Sequence, residues 1–156
     1  MTFLVLLMAF FIWCLWRWGD RTLFPQLALC YLFSSQINTV LDMIVVNRGM
    51  LDFPIRLFRE VSNISITFDY VLFPILHCFY YQWSYRFGLR KALGLGVLLT
   101  SALTVAELGL ERYTALAEYY EWNWMYSFAS VLATLLLSRT TVRWWFRESI
   151  RSELRA

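Results

Sequence analysis

Five apolar runs, at residues 2–18, 22–46, 66–83, 92–110 and 122–138, take up most of this chain and leave only short polar stretches between them. A helix needs about 20 mainly apolar residues to cross roughly 30 Å of hydrocarbon, and each run is near that length. Only 16% of the residues are charged, against about 25% in soluble domains, and 60% are hydrophobic. Too little polar side chain remains to coat a water-soluble globule of 156 residues. The expected fold is therefore all-α, a polytopic transmembrane bundle of about five spans over 1–138, with an Arg-rich amphipathic tail over 139–156. No basic residue precedes the first run, and Trp16-Arg17-Trp18 follows it in place of a small-residue cleavage site, so it reads as a span and not a signal peptide.

Charge placement sets an expected orientation. With five spans, Arg17, Arg21, Arg86, Arg90, Lys91, Arg139, Arg143, Arg147, Arg151 and Arg155 share one side, and Arg48, Arg56, Arg59 and Arg112 the other. The positive-inside rule then puts the C-terminus in the cytoplasm and the N-terminus outside. Arg139, Arg143, Arg147, Arg151 and Arg155 recur every four residues beside Trp144, Trp145 and Phe146. On a helix this makes a slowly drifting guanidinium stripe, suited to anionic lipid headgroups at the cytoplasmic face. Nothing else in the chain points to nucleic acid. On the outer side, Asp52-Phe53-Pro54 reads as the start of a short interfacial helix within the loop 47–65, with an acidic N-cap and a first-turn proline.

Ionisable groups inside apolar runs are costly, and they usually face a protein interior. Asp42 ends the second run, Asp69 begins the third, and Glu107 and Glu111 close the fourth, so all four carboxylates fall near one membrane edge. Each sits on a polar helical face. Ser35, Asn38 and Asp42 share one, and Thr100, Thr104, Glu107 and Glu111 another. In the third run Asp69 and Tyr80 should nearly eclipse, with His77 roughly 80° away. Asn123, Ser127, Ser130 and Thr134 line the fifth, flanked by Tyr126 and opened by Trp122. Lipid offers no hydrogen-bond partner, so such faces should converge inside the bundle. The candidate pocket is Asn38, Asp42, Asp69, Glu107, Glu111, Trp122, Asn123 and Tyr126. Close carboxylates in a poorly solvated site cannot all ionise, and some should hold protons near neutral pH.

Cys14, Cys30 and Cys78 lie within spans without metal-ligand spacing, and His77 has no HxxxH or ExxH partner. We expect no metal and no cofactor. Pro74 should kink the third span and free a carbonyl to the interior, while Gly94, Gly96, Ala102 and Ala106 permit close helix approach. There is no GxGxxG, P-loop, GxSxG or HExxH. The chain thus reads as a non-enzymatic membrane protein whose outer pocket binds a cation, a lipid headgroup or a partner helix. The alternatives are an intramembrane acid–base enzyme acting on a lipid or isoprenoid through Glu107 and Asp69 or Asp42, and a proton-coupled transporter subunit. Five helices enclose little volume, which makes a homo-oligomer or a membrane partner a further expectation.

Asn38 and Asp42, Phe73-Pro74, the lone Glu107, Tyr119-Tyr120, Trp122 and Tyr126-Ser127 follow one another along the chain. Over residues 30–138 the chain resembles a family of small, uncharacterised multi-spanning membrane proteins of spore-forming Firmicutes. The resemblance implies four to five helices in a bacterial cytoplasmic membrane and no particular activity. The arginine-step tail lies outside the pattern.

Overall fold

Hydrocarbon-length apolar runs become helices because only a helix satisfies its own backbone without water. The computed structural model describes residues 2–52, 54, 65–113, 118–119 and 122–147. Its helices are α1 (Thr2–Trp18), α2 (Phe24–Asn47), α3 (Phe73–Ser84), α4 (Leu89–Tyr113) and α5 (Trp124–Trp145), and a π-helical stretch, Phe68–Leu72, runs directly into α3. Three segments are long and apolar enough to cross a membrane, namely Arg21–Asn47, Leu89–Gly109 and Trp124–Trp145, and α1 contributes a shorter apolar stretch, Leu4–Trp18. Phe24, Leu32, Leu98 and Val105 are each more than 60% exposed, as suits helices that face lipid. The protein is an all-α bundle of membrane type.

Local chemistry fixes the helix ends. A Cβ at Gly19 would meet the Leu15 carbonyl oxygen at 2.3 Å, so glycine is required where the chain leaves α1. Asp20 Oδ1 then accepts from the Thr22 amide at 2.9 Å and its hydroxyl at 2.7 Å. Those bonds hold the Asp20 carboxyl below its ordinary range. Gln82 ties this turn to α3, accepting from the Asp20 amide at 2.8 Å and donating to the Trp18 carbonyl at 3.0 Å. At the far end of α2, Gly49 has φ +69°; its amide bonds to Val46 and that of Met50 to Val45, the 5→2 and 6→1 pair of a Schellman cap.

The cap turns the chain into an extended pair, β1 (Leu51–Asp52), antiparallel to β2 (Glu118–Tyr119). Asp52, expected as a helix N-cap, lies in extended backbone here, because the Schellman turn sends residue 51 back toward the α4–α5 connection. Residues 53 and 55–64, the rest of the expected interfacial helix, lie outside the described residues. The Trp122 amide donates to the Met50 carbonyl at 3.1 Å, so the start of α5 is pinned beside the end of α2.

α3 is the central helix. Pro74, Ile75, His77, Cys78, Tyr80, Tyr81 and Ser84 are all buried, which leaves little of its circumference exposed. One core cluster joins Leu27 and Cys30 of α2, Cys78 and Tyr81 of α3 and Val142 of α5. Another joins Tyr80 to Val131 and Leu135. A Cβ at Gly96 would lie 3.2 Å from Leu132 and 3.5 Å from Tyr80, and the Tyr80 hydroxyl donates to the Ala92 carbonyl at 3.1 Å. Gly94, Ala102 and Ala106 are exposed, so of the four small residues Gly96 alone serves this approach.

α5 continues past Ser138 to Trp145, because its first two arginines turn back to the C-terminus of α3. Arg139 is only 6% exposed. It donates from Nε to Ser84 Oγ at 3.0 Å, and from Nη2 to the carbonyls of Ser84 and Phe87 at 3.2 and 2.7 Å. Arg143 Nη1 donates to the Tyr85 carbonyl at 2.6 Å. Cations at a helix C-terminus oppose its dipole and complete its orphaned carbonyls. Arg147 is exposed, and Arg151 and Arg155 lie outside the described residues. Arg139→Gln should therefore lower unfolding stability in detergent by about 2 kcal/mol, whereas Arg147→Gln should change it by no more than about 0.5 kcal/mol. Equal effects would remove the capping role.

Candidate functional site

Asn38 and Asp42 lie one turn apart near the capped end of α2, so both side chains face the same way. Together with Glu107 of α4 and Trp122, Ser130 and Thr134 from the α5 side, they line a cavity of about 100 Å³. Leu41, Phe68, Phe73 and Val131 supply apolar wall. A water needs about 10–15 Å³ of such space, so the cavity has room for several waters or one small organic group.

Asp69 reaches this site through the π-helical turn. The Phe73 amide bonds to the Phe68 carbonyl, five residues back, so the turn carries one residue more than an α turn. That is about 100° of α-helical phase, enough to undo the expected eclipse of Asp69 with Tyr80. Tyr80 packs toward α4 and α5, while Asp69, 0% exposed, meets Asp42 of α2 carboxyl to carboxyl. Pro74 has no amide hydrogen for Tyr70, four residues earlier, and the freed Tyr70 carbonyl accepts the Tyr31 hydroxyl instead. The widened turn and the proline together aim Asp69 at α2.

Hydrogen-bond supply around the cavity is uneven. Both oxygens of Asp69, Oδ2 of Asp42 and Nδ2 of Asn38 are buried without a partner. Two ionised carboxylates are both acceptors, so Asp42 and Asp69 can bond only by sharing a proton. The hydroxyls opposite spend their hydrogens internally. Ser130 donates to the Ser127 carbonyl at 3.1 Å. Thr134 lies 3.0 Å from the Val131 carbonyl and 3.2 Å from His77 Nε2, while His77 Nδ1 lies 2.7 Å from the Phe73 carbonyl. His77 is thus a bonded interior histidine. Among the described residues, no three His, Cys, Asp or Glu side chains are grouped to hold a metal ion.

Four of the expected site residues line the cavity: Asn38, Asp42, Glu107 and Trp122. Asp69 stands behind Asp42. Asn123 is turned back on its own helix as the α5 N-cap, accepting from the Met125 and Tyr126 amides at 2.9 and 3.2 Å. An asparagine just before an apolar helix carries that signal in sequence. Tyr126 is half exposed, with its ring 5.4 Å from that of Trp122. The side chain of Glu111 lies outside the described residues. Phe68 and Phe73 were not expected at the site; only the π turn puts them there.

The fold and cavity define a small helical membrane-type protein with an acid-lined interior. Compared with known protein families, curated proteins and solved structures, it matches none. The site must be judged by its own chemistry. Asp69→Asn would give Asp42 a donor in place of a second acceptor, so it should hold or raise unfolding stability at neutral pH, by up to about 1 kcal/mol. Tyr31→Phe, which uncovers the Tyr70 carbonyl, should lower it by about 1 kcal/mol. A marked loss in Asp69→Asn would mean that the carboxyl pair is not in contact.

Proposed function

We propose that this protein binds a cationic group in the cavity between α2, α3, α4 and α5, within a bacterial cytoplasmic membrane such as the resembled family would occupy. The observation that carries the reading is the acceptor oxygen Oδ2 of Asp42, buried without a donor at a cavity also lined by Glu107, with both oxygens of Asp69 buried without a donor behind it. A buried polar atom without a partner costs about 1–3 kcal/mol, so evolution retains one more readily where something else completes it. Acid–base chemistry on a lipid is the second reading, supported by the Asp42–Asp69 contact, which would set a proton donor beside a base.

The cavity end carries Arg48 and Arg112, and the opposite end carries Arg17, Arg21, Arg86, Arg90, Lys91 and Arg147, all exposed. We place that cationic end in the cytoplasm against anionic headgroups, with the N-terminus and the cavity mouth outside. In intact cells, on a background lacking the native thiols, a cysteine at Asn47 should react with an impermeant reagent and one at Arg90 should not. The reverse pattern would invert the assignment.

The binding reading is tested on the full chain in detergent by thermal unfolding at fixed ionic strength with sodium, potassium, ethylammonium, 2-hydroxyethylammonium or choline. A ligand of the folded state raises the unfolding temperature by mass action. At least one cation should do so, and Asp42→Asn combined with Glu107→Gln should abolish the shift. Identical curves in all five would overturn cation binding.

A further inference from the structure

The geometry points to a primary ammonium carrying a neighbouring oxygen, the 2-aminoethanol head, as the group this cavity takes. The inference rests on the cation-binding reading and specifies its ligand.

The wall decides between kinds of cation. Asp42 and Glu107 line the cavity with Asp69 behind, so the polar part of the wall is built mainly of carboxyl oxygens, which accept hydrogen bonds. Ser130 and Thr134 have committed their hydrogens inside the protein, and their oxygens are left with lone pairs toward the space. Beside the carboxyls, this makes an acceptor surface. A primary ammonium brings three N–H donors to it; a quaternary ammonium brings none. A bare metal ion gains nothing from Leu41, Phe68, Phe73 and Val131, which offer it no oxygen. Those apolar side chains suit the carbon frame of an organic amine, and the Trp122 ring adds an aromatic surface of the kind cations favour.

Asn38 supplies the second half of the specification. It is 8% exposed, lines the cavity, and its Nδ2 has no partner. A cation alone leaves that donor unmet. An oxygen placed near the nitrogen would accept from Asn38 while the ammonium donates to Asp42, one helical turn away on α2. A free amino alcohol and a lipid with an ethanolamine headgroup offer the same pair of groups.

The experiment is competitive binding by the full chain in detergent, read by calorimetry, with 2-aminoethanol, ethylamine, choline and sodium. One added donor–acceptor bond is worth about fivefold, so 2-aminoethanol should bind about fivefold tighter than ethylamine, and choline weaker than both. Asn38→Leu should reduce the preference for 2-aminoethanol over ethylamine from about fivefold to none; the unfolding temperature of the variant verifies its fold. Bilayer discs then separate the sources. Loss of 2-aminoethanol binding in phosphatidylethanolamine discs, but not in phosphatidylcholine discs, identifies the lipid headgroup; equal binding in both identifies the free amine. Choline binding as tightly as 2-aminoethanol, or an unchanged preference in Asn38→Leu, overturns the inference. Binding of sodium alone overturns it too, yet leaves the broader cation reading standing. No binding by any of the four overturns both.

Discussion

A polar atom facing hydrocarbon has no water to turn to, and this constraint shapes nearly every described contact in the bundle. The carbonyl that Pro74 frees at Tyr70 is met by a tyrosine from α2. The carbonyls at the end of α3 are met by arginines from α5. Several hydroxyls on α2 and α5 fold back onto their own helices, as Ser34 does to Cys30 at 2.7 Å and Thr140 to Leu136 at 2.7 Å. Single buried hydroxyls such as those of Thr39, Thr100 and Ser138 also go unanswered, but the bare atoms of Asn38, Asp42 and Asp69 are gathered at one cavity.

The same constraint explains why α3 is both the shortest helix and the most enclosed. It contributes Cys78 and Tyr81 to one core cluster and Tyr80 to another. Pro74 and the π turn interrupt its hydrogen-bond ladder at the level where the carboxyls meet. Such an interruption is tolerable only inside protein, where neighbouring helices can answer it. Irregular backbone and acidic cavity thus occupy the same depth for one reason, since both need the shelter of the surrounding helices.

Much of this was legible in the chain. Run length and apolar content gave the helices, and the i, i+4 spacing of Asn38 and Asp42 gave the cavity-facing side of α2. Glu107 followed from the same rule on α4. What stayed hidden required tertiary knowledge. Shared depth puts Asp69 with Asp42, but no local pattern announces an i→i+5 turn, so the expected eclipse with Tyr80 fails. Arg139 and Arg143 sit in a regular four-residue step with Arg147, and a regular step reads as one surface. Only the position of the α3 C-terminus divides the stripe into buried caps and an exposed cation. Asn123 shares a helical face with Ser127 and Thr134 on paper, yet its place just before the helix makes it a cap.

The arginine caps also bear on the order in which the chain can assemble. The C-terminal carbonyls of α3 leave the biosynthetic machinery well before Arg139 and Arg143 do, because all of α4 and most of α5 lie between them in sequence. Until α5 arrives, the central helix has an unfinished end, and its Ser84 and Tyr85 carbonyls must stay at the wet headgroup level or find temporary partners. Docking of the last helix is therefore the step that lets the innermost one settle to its final depth. Before α5 docks, α3 has its packing against α2 but lacks the caps on its C-terminal carbonyls.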